Sequence, residues 1–210
     1  MNQESFLVGI KKLVERDRDL AKIIDSLGSP PQWQRQPGFP TLIRIILEQQ
    51  VSLASAKAAF ERLNLAVSEL TPESFLSLND VELKTIGFSR QKTRYGKELA
   101  QAVADNRLDL ASLPELNDEE VRDKLTQIKG IGDWTTDMYL MMALQRQDIF
   151  PSKDLAVVIA IKEIKNLPTR PKQKVAESIA EIWQPYRAIA TQILWHYYLN
   201  TPRVESSKHQ

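Results

Sequence analysis

Two of the chain's seven glycines stand in one short turn, Leu125-Thr126-Gln127-Ile128-Lys129-Gly130-Ile131-Gly132-Asp133-Trp134-Thr135. Apolar residues at helical spacing on both sides make this a helix–turn–helix junction. Glycine opens backbone angles closed to other residues and leaves no Cβ over the turn. N–H groups at the start of the second helix then face outward with the positive end of its dipole, the chemistry of a phosphate site that needs no charged side chain. The same Gly-x-Gly also serves as a plain connector between helices. Twenty-two residues beyond Gly132, the segment Asp148-Ile149-Phe150-Pro151-Ser152-Lys153-Asp154-Leu155 ends on an aspartate directly ahead of an apolar helix. That is a routine N-cap position, and a cap also fixes its carboxylate.

Other chemistries are poorly supplied. With no cysteine in 210 residues, disulfides, a thiolate nucleophile, thiolate zinc sites and a cysteine-held iron–sulfur cluster are excluded. The two histidines are His196 and His209, too few for a histidine metal site and badly placed for a Ser-His-Asp triad. Net charge is only +1, from 28 basic and 27 acidic residues, but it is partitioned. Lys84, Arg90, Lys92, Arg94 and Lys97 share residues 83–97 with no acid, and Lys162, Lys165, Arg170, Lys172 and Lys174 meet Glu163 alone. An acidic stretch from Glu115 to Asp123 offsets them. These clusters read either as solvated helix faces or as a surface for a polyanion.

The elements that must position these residues are helical. Seven glycines and no Asn-Gly or Asp-Gly dipeptide argue against a fold rich in strands and tight turns. Phe6, Ile10, Leu13 and Val14 begin an apolar stripe that Leu20, Ile23, Ile24 and Leu27 continue up to Gly28. Thr41 is the expected cap of a long helix through Leu63, kinked near Val51. Thr71-Pro72, Asn79 or Asp80, Ser89, Asn117 and Asp154 mark further starts. Pro171 and Pro185 mark the last two. About ten helices result, in an all-α fold of two packed helical subdomains with a cleft between them. Residues 1–40 with 137–210 form the terminal subdomain, and 41–136 the central one, ending in a helix-hairpin-helix at 118–144. The polar N-terminus does not resemble a signal peptide, and the longest apolar run, Leu155 to Ile161, is far short of a membrane span. No membrane partner and a cytoplasmic location are expected.

The hairpin followed about twenty residues later by a loop ending in Asp resembles the helix-hairpin-helix/Gly-Pro-Asp superfamily of DNA glycosylases. Within it, the alkylbase (3-methyladenine) DNA glycosylase II branch is most similar. Ile46-Leu47-Glu48-Gln49-Gln50-Val51-Ser52, Gly87-Phe88-Ser89-Arg90-Gln91-Lys92 and Trp183-Gln184-Pro185-Tyr186-Arg187 leading to Leu194-Trp195 follow the same family order. The resemblance implies a hydrolase that releases alkylated, cationic purines such as 3-methyladenine and 7-methylguanine from double-stranded DNA, leaving an abasic site for base excision repair. Asp154 would be the catalytic residue. Trp134, Trp195 and Met138 would line the base pocket, Met138 standing where some members have Tyr. Gln50 would fill the hole left in the duplex. Gly130, Gly132, Trp134, Ser89, Arg90 and Lys92 would bind the DNA backbone.

No cofactor is required by this resemblance. A structural Na+ or K+ would be held by the main-chain carbonyls of Thr126, Ile128 and Ile131, and the absence of cysteine excludes the iron–sulfur cluster of some members. Bifunctional members carry a nucleophilic Lys two residues after the second glycine; here that residue is Trp134, and Lys129 and Lys153 do not match the position. A monofunctional, monomeric enzyme is expected, nucleoid-associated in a bacterium. Glu48 replaces a family Gly and Asp133 an Arg, which puts the local geometry and the DNA affinity in question. A non-catalytic lesion-binding protein of the same fold and a bifunctional glycosylase/lyase are the alternatives.

Overall fold

The computed structural model of the chain describes residues 1–202; His209 and the rest of the polar segment after Pro202 lie outside the described residues. Among the described residues there are twelve α-helices, two 3-10 turns and no strand. The helices are α1 (Gln3–Arg16), α2 (Arg18–Leu27), α3 (Phe39–Glu48), α4 (Leu53–Ala66), α5 (Pro72–Ser77), α6 (Asp80–Ile86), α7 (Arg90–Ala104), α8 (Asp118–Thr126), α9 (Asp133–Met142), α10 (Leu155–Ile164), α11 (Gln173–Ala180) and α12 (Arg187–Asn200). The 3-10 turns are Leu113–Glu115 and Glu181–Trp183. None of these helices is long and apolar enough to cross a membrane.

They sort into two compact units, Met1–Trp33 with the described residues from Gln147 onward, and Gln34–Arg146. The sequence-based boundaries at 40/41 and 136/137 therefore move to 33/34 and 146/147. The reason is local: the Arg35 N–H donates to the Met142 carbonyl at 2.9 Å and the Gly38 N–H to the Tyr139 hydroxyl at 3.0 Å. These bonds bring the loop before α3 and the whole of α9 into the second unit.

In the first unit α12 is the central element, buried from Ala188 to Trp195, with α1, α2 and α10 packed against it. The N-terminal stripe is two helices rather than one. Asp17 breaks it by accepting the N–H groups of Asp19 and Leu20, so that the apolar period runs through a cap. Asp17 is 3% exposed. Lys165 Nζ lies 2.8 Å from one of its oxygens, and the Trp183 indole N–H donates to it at 2.8 Å. Burial alone would raise its pKa; the hydrogen bonds from Lys165 and Trp183 outweigh that and hold it below the ordinary 3.8.

In the second unit α3 and α9 are buried along most of their length, α3 as its mostly apolar sequence requires and α9 with Thr135, Thr136 and Asp137 buried alongside its apolar residues. α3 packs on α4, α7 and α9, and α8 packs on α9. The expected long helix through Leu63 is interrupted at Gln49–Ser52, where Ser52 caps α4. α3 starts before Thr41, at Phe39, and the Thr41 hydroxyl instead donates to the Gln36 carbonyl. Thr71, Asn79, Ser89, Asn117 and Asp154 cap their helices.

Candidate functional site

In the unit Gln34–Arg146, α8 opens on a reciprocal cap: the Asn117 side chain accepts the Glu120 N–H at 3.0 Å and Glu120 accepts the Asn117 N–H at 2.9 Å. The turn after α8 is anchored by Ile128 and Ile131, 6% and 4% exposed, and by an Ile131 N–H to Ile128 carbonyl bond of 3.0 Å. Arg122 of α8 and the buried Asp137 of α9 pair at 2.6 Å and lock the two hairpin helices together. The two glycines are glycine for different reasons. Gly130 has φ +98°, and a Cβ there would sit 2.1 Å from the Tyr95 ring. Gly132 has an ordinary extended backbone, φ −110° and ψ −172°, and nothing lies within 4 Å of its Cβ position. No packing inside the protein calls for glycine there. Its effect is to leave the start of α9, which no side chain caps, open to close approach from outside.

The break between α3 and α4 holds the exposed Gln50, with φ +56°. It is therefore a turn residue in a conformation that few non-glycine residues adopt, and not part of a helix surface. Ahead of it, Glu48 forms a two-pronged pair with Arg35 at 2.7 and 2.9 Å, both side chains being largely buried. This is the structural use of the glutamate that stands where the family pattern has glycine. On α7, Ser89 and Arg90 are exposed, the Ser89 hydroxyl accepting the Lys92 N–H at 3.2 Å. Lys92 departs from expectation: its ammonium donates to the Leu47 carbonyl at 2.7 Å, and burial lowers its pKa from the usual 10.5. Its reach is directed into the protein, where it fixes the end of α3. Trp134 is half-buried, and Met138, expected as a pocket wall, is only 3% exposed within the buried run of α9.

In the other unit, the loop from Asp148 to Asp154 is pinned along its length. Arg187 grips the Asp148 carboxylate through Nε at 2.8 Å and a terminal guanidinium nitrogen at 2.9 Å. Phe150 meets Trp183 edge-on at 5.9 Å, and the Ser152 hydroxyl donates to Glu177 at 2.9 Å. Asp154 closes the loop at 9% exposure. One carboxylate oxygen accepts the Val157 N–H at 3.0 Å, capping α10, and the Trp195 indole N–H at 3.2 Å. Trp33 packs edge-on against Trp195 at 5.9 Å. Two of the residues singled out from the sequence, Asp154 and Trp195, are thus in direct contact. Carboxylate and indole are oriented by each other.

These features match known proteins. Residues 43–185 fit the model of the HhH-GPD superfamily of base excision DNA repair proteins, about two thirds of the chain. The chain belongs to the HhH-GPD superfamily. Over 214 residues it is 27% identical to a protein of Bacillus subtilis named putative DNA-3-methyladenine glycosylase, covering 92% of this chain and 75% of that one. Identity to DNA-3-methyladenine glycosylase 1 of Schizosaccharomyces pombe is 29% over 192 residues, covering 90% and 84%. A solved structure of the S. pombe 3-methyladenine DNA glycosylase in complex with abasic DNA superposes with a TM-score of 0.83 at 28% identity, covering 89% of this chain and 94% of that one. A DNA-3-methyladenine glycosidase from Bacillus halodurans gives 0.73 at 29% identity, covering 90% and 88%.

Within the HhH-GPD match lie the hairpin, the Gln50 turn and Asp154, while Trp195 lies beyond it. The sequence singles out neither Arg35 nor Arg122, and gives Gln49 and Arg187 a place in matched segments but no role. Arg35, Gln49, Arg122 and Arg187 act through partners between 13 and 86 positions away. No local period marks such partners. In α3 the charges of Arg44 and Glu48 stand four residues apart in a mostly apolar stretch and pair at 3.4 Å, so nothing local points to Arg35.

Proposed function

We propose that this protein is a monofunctional DNA glycosylase that hydrolyses the N-glycosidic bond of alkylated purines, 3-methyladenine and 7-methylguanine among them, in double-stranded DNA. Membership of the HhH-GPD superfamily and the names of its relatives support the class of reaction. The observation that carries the mechanism is the carboxylate of Asp154, nearly buried and held by the Val157 and Trp195 N–H groups. Breaking the C1′–N bond leaves positive charge on the sugar, which a preorganised carboxylate stabilises without first reorganising. The bonding electrons leave with the base, water supplies the new oxygen on C1′, and its proton passes by way of Asp154 to solvent. An alkylated purine starts as a cation and departs neutral, so no second carboxyl is needed to protonate it.

Gln50, exposed on its turn, fills the gap left when the base is extruded. The start of α9 and Arg90 engage the DNA backbone, Gly132 permitting close approach. Trp134 and Trp195 offer electron-rich rings to a cationic base. Main-chain carbonyls of Thr126, Ile128 and Ile131 are neutral hard oxygens suited to Na+ or K+, and the Ile128 carbonyl has a second lone pair beside the one taken by the Ile131 N–H. A cation there would add positive charge beside the DNA backbone. Trp134 stands where a lyase lysine would be, so strand cleavage is not part of the reaction. The protein acts as a monomer on DNA in the cytoplasm, at the nucleoid in a bacterial cell.

Duplex oligonucleotides carrying 3-methyladenine, 7-methylguanine or hypoxanthine test this directly. Free base and an alkali-labile abasic site are expected from the first two, with no strand break before alkali. Binding without release of any base would overturn the reading in favour of a lesion-binding protein.

A further inference from the structure

Three consecutive residues at the end of α3 are each held from a different side. The Leu47 carbonyl accepts from Lys92, Glu48 is forked by Arg35, and the Gln49 amide donates to the Gly130 carbonyl and to the Thr135 hydroxyl, both at 2.9 Å. The next residue is Gln50, exposed and at φ +56°. A left-handed non-glycine residue persists where its surroundings over-determine it, and the three residues that lead into Gln50 are each anchored. Of the three, Gln49 alone reaches the hairpin. Its amide touches one residue on each side of Gly132: Gly130 in the turn and Thr135 in the first turn of α9. The Gly130 carbonyl can only accept, so the amide nitrogen must face it. Gly130 itself packs so closely on the Tyr95 ring that a Cβ there would lie 2.1 Å from it.

Resting on the glycosylase reading, we infer that Gln49 is a positioning residue that sets the register between the DNA-gripping hairpin and the duplex-filling Gln50. The hairpin fixes where the DNA backbone sits, and one side chain then fixes where Gln50 stands relative to it. Removing that bridge weakens opening of the duplex and leaves bond cleavage at Asp154 intact. The loss therefore depends on how much opening the substrate requires.

Gln49→Met keeps the length and removes both donors; Gln49→Glu puts a carboxylate against a carbonyl. Thr135→Val, which removes one acceptor without changing shape, guards against misfolding of the first two. Each folded variant is saturated with duplex carrying 2-aminopurine beside an abasic-site analogue, and the fluorescence rise on unstacking is read. Single-turnover release of 7-methylguanine is then compared between a fully paired duplex and a bulge. Both Gln49 variants should show a smaller fluorescence rise and about a tenfold slower release from the paired duplex, with less than about a twofold change from the bulge. Thr135→Val should fall in between. Equal losses on both substrates, or an unchanged fluorescence rise, would overturn the assignment. If the wild-type protein opens the duplex but releases no base, and the variants open it less, the glycosylase reading fails while the positioning role of Gln49 stands. A wild-type protein that binds without any fluorescence rise overturns the role itself.

Discussion

Asp17 and Asp154 both cap a helix with a nearly buried carboxylate, and both accept an indole N–H, from Trp183 and Trp195 respectively. They differ in setting. Lys165 puts its ammonium 2.8 and 2.9 Å from the two oxygens of Asp17, with Asp19 as a second carboxylate at 3.0 Å. That charge is neutralised inside the fold, where it ties the start of α2 to the end of α10. At Asp154 the Val157 N–H and the Trp195 N–H are neutral donors to one carboxylate oxygen, and together they fix the direction of the carboxylate. An N-capping aspartate bonded by an indole is therefore not a function in itself. Asp17 lies outside the HhH-GPD match and holds two helices together through an ion pair, whereas Asp154 lies inside it, at the end of the loop that follows the hairpin.

The largest effect tests that distinction at Asp154. Asparagine caps helices nearly as well as aspartate, so Asp154→Asn should leave thermal unfolding almost unchanged. Base release should fall by about a thousandfold or more, because the stabilising charge is gone, while binding to the lesion duplex persists. Single-turnover release with a parallel anisotropy titration would show both. Near-wild-type turnover would remove Asp154 from the chemistry, and a borohydride-trapped covalent adduct would point to a lyase.

Asp17→Asn should do the opposite. Lys165, half-buried, keeps Asp19 at 3.0 Å but loses its charged partner in Asp17, which should cost about 2 kcal/mol of stability, with release per folded molecule unchanged. The pH dependence has a defined sign. The pKa of Asp17 is held below 3.8 in the folded protein, so its contribution is complete above that value and is lost as the pH falls through the lower folded value. Lys165 is raised above 10.5: burial opposes the charge, but the hydrogen bonds it donates to Asp17 and Asp19 outweigh it. Its contribution is complete below 10.5 and lost as the pH rises through the raised value. Urea midpoints measured across pH should show both slopes flattened in Asp17→Asn. Equal pH profiles for variant and wild type would show that the pair contributes nothing.

Trp195→Phe addresses the link between carboxylate and indole. An aromatic face remains while the N–H to Asp154 is lost, so release should slow by about tenfold, in kcat more than in KM. An unchanged kcat with raised KM would make Trp195 a wall of the pocket and nothing more.

What could be read ahead of the structure follows from how local each feature is. Caps at Thr71, Asn79, Ser89, Asn117 and Asp154 depend on one residue and its next turn, and they stood out by residue type. Asp17 has the same signature, but the apolar stripe running through it gave no sign of the break. The kink expected near Val51 lies at the break, but nothing marks Gln50 as left-handed, since glutamine is not a turn residue; Ser52 caps α4 two residues on. Arg35–Glu48, Arg187–Asp148 and Trp195–Asp154 are tertiary pairs, set by packing that no single segment encodes. The hairpin was legible as a motif, yet the separate reasons for its two glycines were not.

That separation supports the smallest and most discriminating test. Alanine at Gly130 would place a Cβ 2.1 Å from Tyr95 at φ +98°, and the protein should be destabilised by at least about 2 kcal/mol. Alanine at Gly132 meets nothing within 4 Å and fits the existing backbone angles, so the unfolding midpoint should not move. If the open space there exists for the DNA backbone, Gly132→Ala should weaken duplex binding by about three- to tenfold. The loss should be the same for damaged and undamaged DNA, because backbone contacts carry no base information. Should Gly132→Ala bind as tightly as wild type, the start of α9 would not be where the backbone is held. Asp133, placing an acid at the same helix start, is the next position to replace. Asp133→Asn should tighten binding about threefold at low salt and progressively less as salt is raised, in the direction opposite to Gly132→Ala.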